Sequence, residues 1–159
     1  MKRAAFIAAG AASAFALYRL AGAMPQPIYE VHHSNAEWIR ILGFDRYQIL
    51  REGGTEPPFS SPLNNEHRAG IYHCAGCDLA LFDSRTKYDA GEGWPSFWDV
   101  LPNAVLKQAD YELPGEPRTE LHCRRCGGHL GHLFDDGPAP THLRYCIDGL
   151  ALRFVPQTT

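Results

Sequence analysis

The sequence predicts a mainly β domain of antiparallel strands with short helices on its N-terminal side. Beyond residue 69 the chain breaks into short runs of alternating apolar and polar residues, punctuated by glycine and proline as strands joined by turns are. Before that point helix caps and helical spacing mark only two short stretches. At 159 residues the chain can bury one core, so a single domain with short appendages is expected.

Residues 1–23 stand apart. Lys2 and Arg3 precede a small, apolar run from Ala4 to Tyr18, and all 12 prolines lie beyond it. This is the layout of a secretory leader, with Ala21-Gly22-Ala23 as a small-x-small cleavage site ahead of Met24. An uncleaved anchor is the alternative, but Arg19 leaves the run short of the roughly 20 residues that span a bilayer. An exported protein, periplasmic or envelope-associated, is expected. Removing the leader takes away Lys2, Arg3 and Arg19 and no acid, which moves the formal charge from −3 to −6. With no run of basic residues left, nucleic acid is not expected as a partner.

Residues 24–33 contain prolines and no period, and read as a linker. Ser34-Asn35-Ala36-Glu37 has the form of a capping box, and Trp38, Ile41 and Leu42 follow at helical spacing, which predicts a short helix ended by Gly43. Asp45 can cap a second one carrying Tyr47, Ile49 and Leu50, closed by Gly53-Gly54. From Thr55 to Ala69 the prolines and Asn64-Asn65 rule out regular structure. Strands are predicted at 70–74, 79–82, 119–123, 142–147 and 150–155.

Four of the five cysteines form two pairs, Cys74-Ala75-Gly76-Cys77 and Cys123-Arg124-Arg125-Cys126, each closing a predicted strand. A two-residue spacer lets both thiolates of a pair face one tetrahedral ion, so the pairs together predict a structural four-cysteine zinc site with no open coordination position. Disulfides formed after export, or two redox C-x-x-C motifs, are the alternatives. His73 and His122 precede the first cysteine of each pair. Alternation turns them away from the ion, which predicts solvated strand histidines.

Cys146 has no partner at that spacing. If residues 142–148 are extended, His142, Arg144, Cys146 and Asp148 share one face while Leu143, Tyr145 and Ile147 share the other. A guanidinium beside the thiol favours the thiolate, which predicts a reactive rather than an inert buried cysteine. His129 and His132 lie in a glycine-containing stretch whose bends could aim both imidazoles one way, which suits proton delivery. A second metal is the alternative use for them. Gly91 to Trp98 reads as a rigid loop that presents aromatic rings to a ligand, Trp94 and Phe97 among them.

The motifs T-E-P-P-F at 55–59, C-A-G-C at 74–77, K-Y-D at 87–89, G-W-P-S-F at 93–97, C-R-R-C-G-G-H-L-G-H at 123–132, F-D-D-G-P at 134–138 and R-Y-C at 144–146 together resemble the B-type methionine sulfoxide reductases. The resemblance covers about residues 36–156. It implies two antiparallel sheets with short N-terminal helices, a structural Zn2+ held by Cys74, Cys77, Cys123 and Cys126, and reduction of the R epimer of methionine sulfoxide, free or in proteins. It further implies that Cys146 attacks the sulfoxide sulfur, that His129 and His132 stand beside it, and that Trp94 forms the pocket for the substrate methyl.

The chain departs from the family pattern twice. Many members carry a resolving cysteine where Glu92 stands, so an external thiol reductant such as a thioredoxin-like protein is expected to reduce the sulfenic acid. Where the family more often has asparagine, this chain has Asp148. Asp148 either donates as a protonated acid or binds Arg144 or a histidine. A zinc-stabilised binding or thiol-sensing module without turnover is the alternative function, and a monomer is expected.

Overall fold

The structure is a computed structural model that describes residues 28–158. The predicted leader lies outside the described residues. No helix among them is long and apolar enough to cross a membrane.

Helix α1 (Asn35–Leu42) starts at the predicted capping box: the Glu37 N–H donates to Ser34 Oγ and the Ser34 N–H donates to Glu37 Oε2 at 2.8 Å. Gly43 ends it and at once begins α2 (Phe44–Glu52), so Asp45 lies inside the first turn and does not cap it. Of the apolar residues of α1, Trp38 is buried and Ile41 is exposed. The helix is thus pinned by one ring, which lies against Gly76 of the first cysteine pair.

Nine strands follow: β1 (Gly70–Cys74), β2 (Ala80–Asp83), β3 (Lys87–Tyr88), β4 (Ser96–Phe97), β5 (Val105–Asp110), β6 (Arg118–Cys123), β7 (His129–Phe134), β8 (Arg144–Ile147) and β9 (Leu152–Pro156). They form two antiparallel sheets, a three-stranded one in the order β2-β1-β9 and a six-stranded one in the order β3-β4-β8-β7-β6-β5. The core lies between the sheets. Phe82 from the first stacks on Phe97 from the second at 4.4 Å, and Tyr72 meets the same ring edge-on at 4.9 Å, with Tyr145 and Phe154 around them. Phe97, expected at a ligand, is fully buried in this cluster instead. Its strand neighbour Ser96 takes the other face, as alternation requires.

Residues 29–31 are not a free linker. The Glu30 and Val31 N–H groups both donate to the Arg125 carbonyl, at 2.8 and 3.2 Å, and Glu30 pairs with Arg124 at 2.5 Å. The Tyr29 ring covers Gly127, where a side chain would collide with it. This short strap therefore lies across the second cysteine pair.

Candidate active site and metal centre

One irregularity assembles the site. In the β6–β7 pairing, Leu121 faces Gly131 and His122 faces His129, so Leu130 is an extra residue in β7. Histidines three apart in a regular strand point to opposite faces; the bulge resets the alternation and puts His129 and His132 on one face, ring centroids 5.5 Å apart. Gly131, at φ 141°, packs so tightly on the Cys146 carbonyl that a Cβ would strike it.

Register fills in the rest of this face. His132 pairs with Cys146, Glu120 with His132, Asp110 with Arg118, Phe134 with Arg144, and Ser96 with Cys146. The opposite face carries Leu121, Tyr145, Ile147 and Phe97 into the core. His142, expected on the polar face, lies outside β8 at φ 58° and is exposed.

Cys146 opens into a pocket of about 130 Å3 lined by Thr55, Trp94, Arg118, Gly131, His132, Phe134 and Asp148. A larger cavity of about 750 Å3 lies behind Glu56 and Leu150 and contains no cysteine or histidine, so size does not locate the chemistry. The Trp94 indole N–H donates to the Glu56 carbonyl at 3.0 Å, and its loop is closed by Phe59 and Asn64, which both donate to the Gly93 carbonyl. Gly93, at φ 95°, is pressed so closely on Pro58 and Phe59 that only glycine fits.

Burial pushes the Cys146 thiol up to about 11; Arg144 opposes the shift, while Asp148 and Glu92 add to it. The expected thiolate is therefore corrected to a protonated resting thiol. Arg144 does not ionise it because its guanidinium donates twice to Asp136, at 2.7 and 2.8 Å, and lies 4.2 Å over the Phe134 ring.

The two histidines differ. His132 lines the pocket and hydrogen-bonds through Nε2 to Asp110 Oδ2 at 3.0 Å. Asp110 is held down at about 2 by the Glu112 N–H, then by Arg118 and His132, so it is a carboxylate that accepts from Nε2. Burial keeps the His132 pKa low, which leaves a neutral ring with its Nδ1 lone pair free. His129 is fully buried and does not line the pocket; Asp148 lies between. Its Nδ1 lies 2.5 Å from Glu120 Oε1 and its Nε2 lies 3.7 Å from Asp148 Oδ2. Burial works against charge on this ring, but the two carboxylates outweigh it and raise its pKa.

Asp148, which lines the pocket, does not bind Arg144. Its Oδ1 accepts from the Glu56 N–H at 2.9 Å, while the Glu56 carboxyl accepts from the Gly149 and Leu150 N–H groups at 2.6 and 3.0 Å. Glu56, Asp110, Arg118 and Glu120 are site residues that sequence reasoning misses. Only Glu120 had a local signal, since it shares a strand face with His122.

At the other end of β6 the four paired cysteines meet. All four sulfurs lie within 4.8 Å of one another, with Cys74 to Cys126 at 3.7 Å and Cys77 to Cys123 at 3.5 Å. The edge of a tetrahedron with metal–sulfur bonds of about 2.3 Å is about 3.8 Å, whereas a disulfide is about 2 Å. The cluster therefore fits a tetrahedral cation and joins the ends of β1 and β6, one from each sheet. His73 and His122 are not ligands. They are half-buried: His73 bonds the Asp78 carbonyl, and His122 meets the Gly127 carbonyl through Nδ1 while its Nε2 lies 3.0 Å from Glu120 Oε2 without a hydrogen bond.

The SelR domain family matches this chain over residues 42–156. The chain belongs to the SelR family. Relatives in other organisms carry the description peptide methionine sulfoxide reductase MsrB. The Agrobacterium fabrum protein is 52% identical over 80% of this chain and 94% of its own. A Pseudomonas putida protein is 49% identical over 76% and 91%. The Leptospira interrogans protein is 46% identical over 79% and 96%. The solved Mis18 'Yippee-like' domain overlaps 58% of this chain and all of its own at a TM-score of 0.47 and 17% identity, a likeness that carries no argument. In this SelR domain the knuckles, the histidine strand and the Cys146 strand all fall inside the matched span.

Proposed function

We propose that the chain reduces the R epimer of methionine sulfoxide, free or in proteins, with Cys146 as the nucleophile and a structural Zn2+ in the four-cysteine cluster. The observation that carries the reading is the pairing of Cys146 with His132 at the floor of a small pocket walled by Trp94. The methyl group of the sulfoxide fits against the indole. As the Cys146 sulfur attacks the substrate sulfur, the His132 Nδ1 takes the thiol proton, which makes a protonated thiol usable near neutral pH. The sulfoxide oxygen passes to Cys146 as a hydroxyl, methionine leaves, and the cysteine is left as a sulfenic acid. Thiol plus sulfoxide thus becomes sulfenic acid plus thioether, with no net proton.

Glu92 is exposed where a resolving thiol would be needed, and the other four cysteines are committed to the cluster. An external thiol, from a thioredoxin-like protein, reduces the sulfenic acid and releases water. The four-thiol donor set leaves the ion no open position and makes it a strut between the sheets.

Separate R and S epimers of a methionine sulfoxide peptide, incubated with dithiothreitol, test the reading. The R epimer alone should disappear, and Cys146→Ser should abolish the reaction. Mass spectrometry after one turnover without reductant should find Cys146 oxidised and no internal disulfide. Reduction of the S epimer, or undiminished turnover by Cys146→Ser, would overturn the proposal.

A further inference from the structure

Asp148 and His129 face each other in a buried part of the site, and their surroundings give that contact a consequence. His129 Nδ1 faces Glu120 Oε1 at 2.5 Å, a distance that requires the ring nitrogen to donate. The other nitrogen, Nε2, is fully buried and finds no hydrogen-bond partner; Asp148 Oδ2 lies 3.7 Å from it. If the ring were neutral and Asp148 ionised, two buried lone pairs would face each other with nothing between them. Both residues are nearly inaccessible, at 4% and 3% exposure, so water does not relieve that arrangement. A proton between Nε2 and Oδ2 does. An asparagine would need no such proton, since its amide could donate to a neutral ring.

We propose that Asp148 and His129 hold one proton between them at the wall of the pocket, and that Asp148, which lines the pocket, passes it to the sulfoxide oxygen. The inference rests on the reductase reading above. The pair and His132 then divide the proton traffic. His132 takes the proton of Cys146 as the sulfur–sulfur bond forms; the pair protonates the oxygen as it moves to Cys146 and methionine departs. The proton held by His132 later restores the pair, so the step stays balanced.

The groups around the ring support this assignment. From β6 come Glu120 and His122; His122 Nδ1 meets the Gly127 carbonyl, while its Nε2 lies 3.0 Å from Glu120 Oε2 without a hydrogen bond. From β7 comes His132, held by Asp110 and, through it, Arg118. Beyond Asp148 lies Glu56, whose carboxyl is engaged by two backbone N–H groups and whose own N–H fixes Asp148 Oδ1. The carboxylates nearest the ring outweigh its burial, and the His129 pKa is raised.

Nitrogen-15 NMR of histidine-labelled, metal-loaded full-length protein reads the proton directly. At pH 8, well above the ordinary histidine value of about 6.5, both nitrogens of His129 should be protonated or share a proton with Asp148, whereas in Asp148→Asn only Nδ1 should carry one. Single-turnover rates with the R epimer should fall at alkaline pH about one unit earlier in Asp148→Asn, about a tenfold deficit at pH 8.5. Asparagine keeps an oxygen for the Glu56 N–H, and the wild-type spectrum needs no variant at all. A bare Nε2 in the wild type at pH 8, or superimposable pH–rate profiles, would overturn the proposal. Failure of the wild type to reduce the R epimer would instead overturn the functional reading.

Discussion

Cys123 ends β6 on the core side of the six-stranded sheet, and Cys146 lies two strands away on its polar side. Around Cys123 stand three more sulfurs, near enough to share one cation, with helices α1 and α2 and the Tyr29–Val31 strap packed over them. Around Cys146 stand an imidazole, a carboxyl group and an indole, with no second sulfur. The two kinds of sulfur thus differ by their neighbours: the grouped thiols are placed to hold one cation, and the solitary one faces proton carriers. Burial alone does not separate them, because it also raises the Cys146 pKa.

Removing a cluster sulfur should break the comparison most severely. Cys123→Ser should lower bound metal from about one ion per chain to none, measured by elemental analysis. The melting temperature should fall by about 10 °C or more, because the ion ties two sheets together. Retained melting temperature without metal would show that the cluster is not a strut.

The second effect distinguishes the sulfurs by pH. With its pKa raised to about 11, Cys146 is almost wholly protonated at pH 7 and ionises as the pH climbs. Alkylation of the substrate-free protein by iodoacetamide should therefore be about a hundredfold or more slower at pH 7 than for an exposed cysteine, and should rise about tenfold per pH unit up to pH 10. The four cluster sulfurs should stay unlabelled while metal is bound. Labelling of Cys146 at pH 7 as fast as free cysteine would show that Arg144 ionises it after all.

The smallest effect concerns the strap. Tyr29→Ala removes a ring that covers Gly127, and should lower the melting temperature by about 2–4 °C and speed metal loss to a chelator. Turnover with the R epimer should not change, since Tyr29 lies outside the pocket. A drop in turnover with metal intact would mean that the two sulfur sites are coupled.

Elements with a local signature were legible in the sequence. The capping box at Ser34 and Glu37, the strands ending at Cys74 and Cys123 and the two knuckles all appear where alternation and spacing place them. Strands without that signature were not. β5 does not alternate cleanly and pairs only with β6, and β4 is two residues long. The candidate site was legible as residue types, with Cys146, His132 and Trp94 at one pocket, but not as wiring. Phe97 looked like part of an aromatic loop because one-residue alternation within G-W-P-S-F cannot be seen from composition. Glu56 comes from a segment with no period, and the partners of its carboxyl and its N–H lie more than 90 residues away in sequence. Arg144 misled because its guanidinium, two residues from Cys146 in the strand, also pairs with Asp136, and the burial of the thiol outweighs what it still contributes.

The extra residue at Leu130 carries a consequence for variation in this protein. What that spot must preserve is a buried apolar side chain and a carbonyl, which accepts from the Asp148 N–H at 2.9 Å. Exchange of the leucine for another apolar side chain leaves both features intact, whereas losing that single amino acid would keep the two imidazoles on one side of a now regular strand but leave the Asp148 N–H without its acceptor.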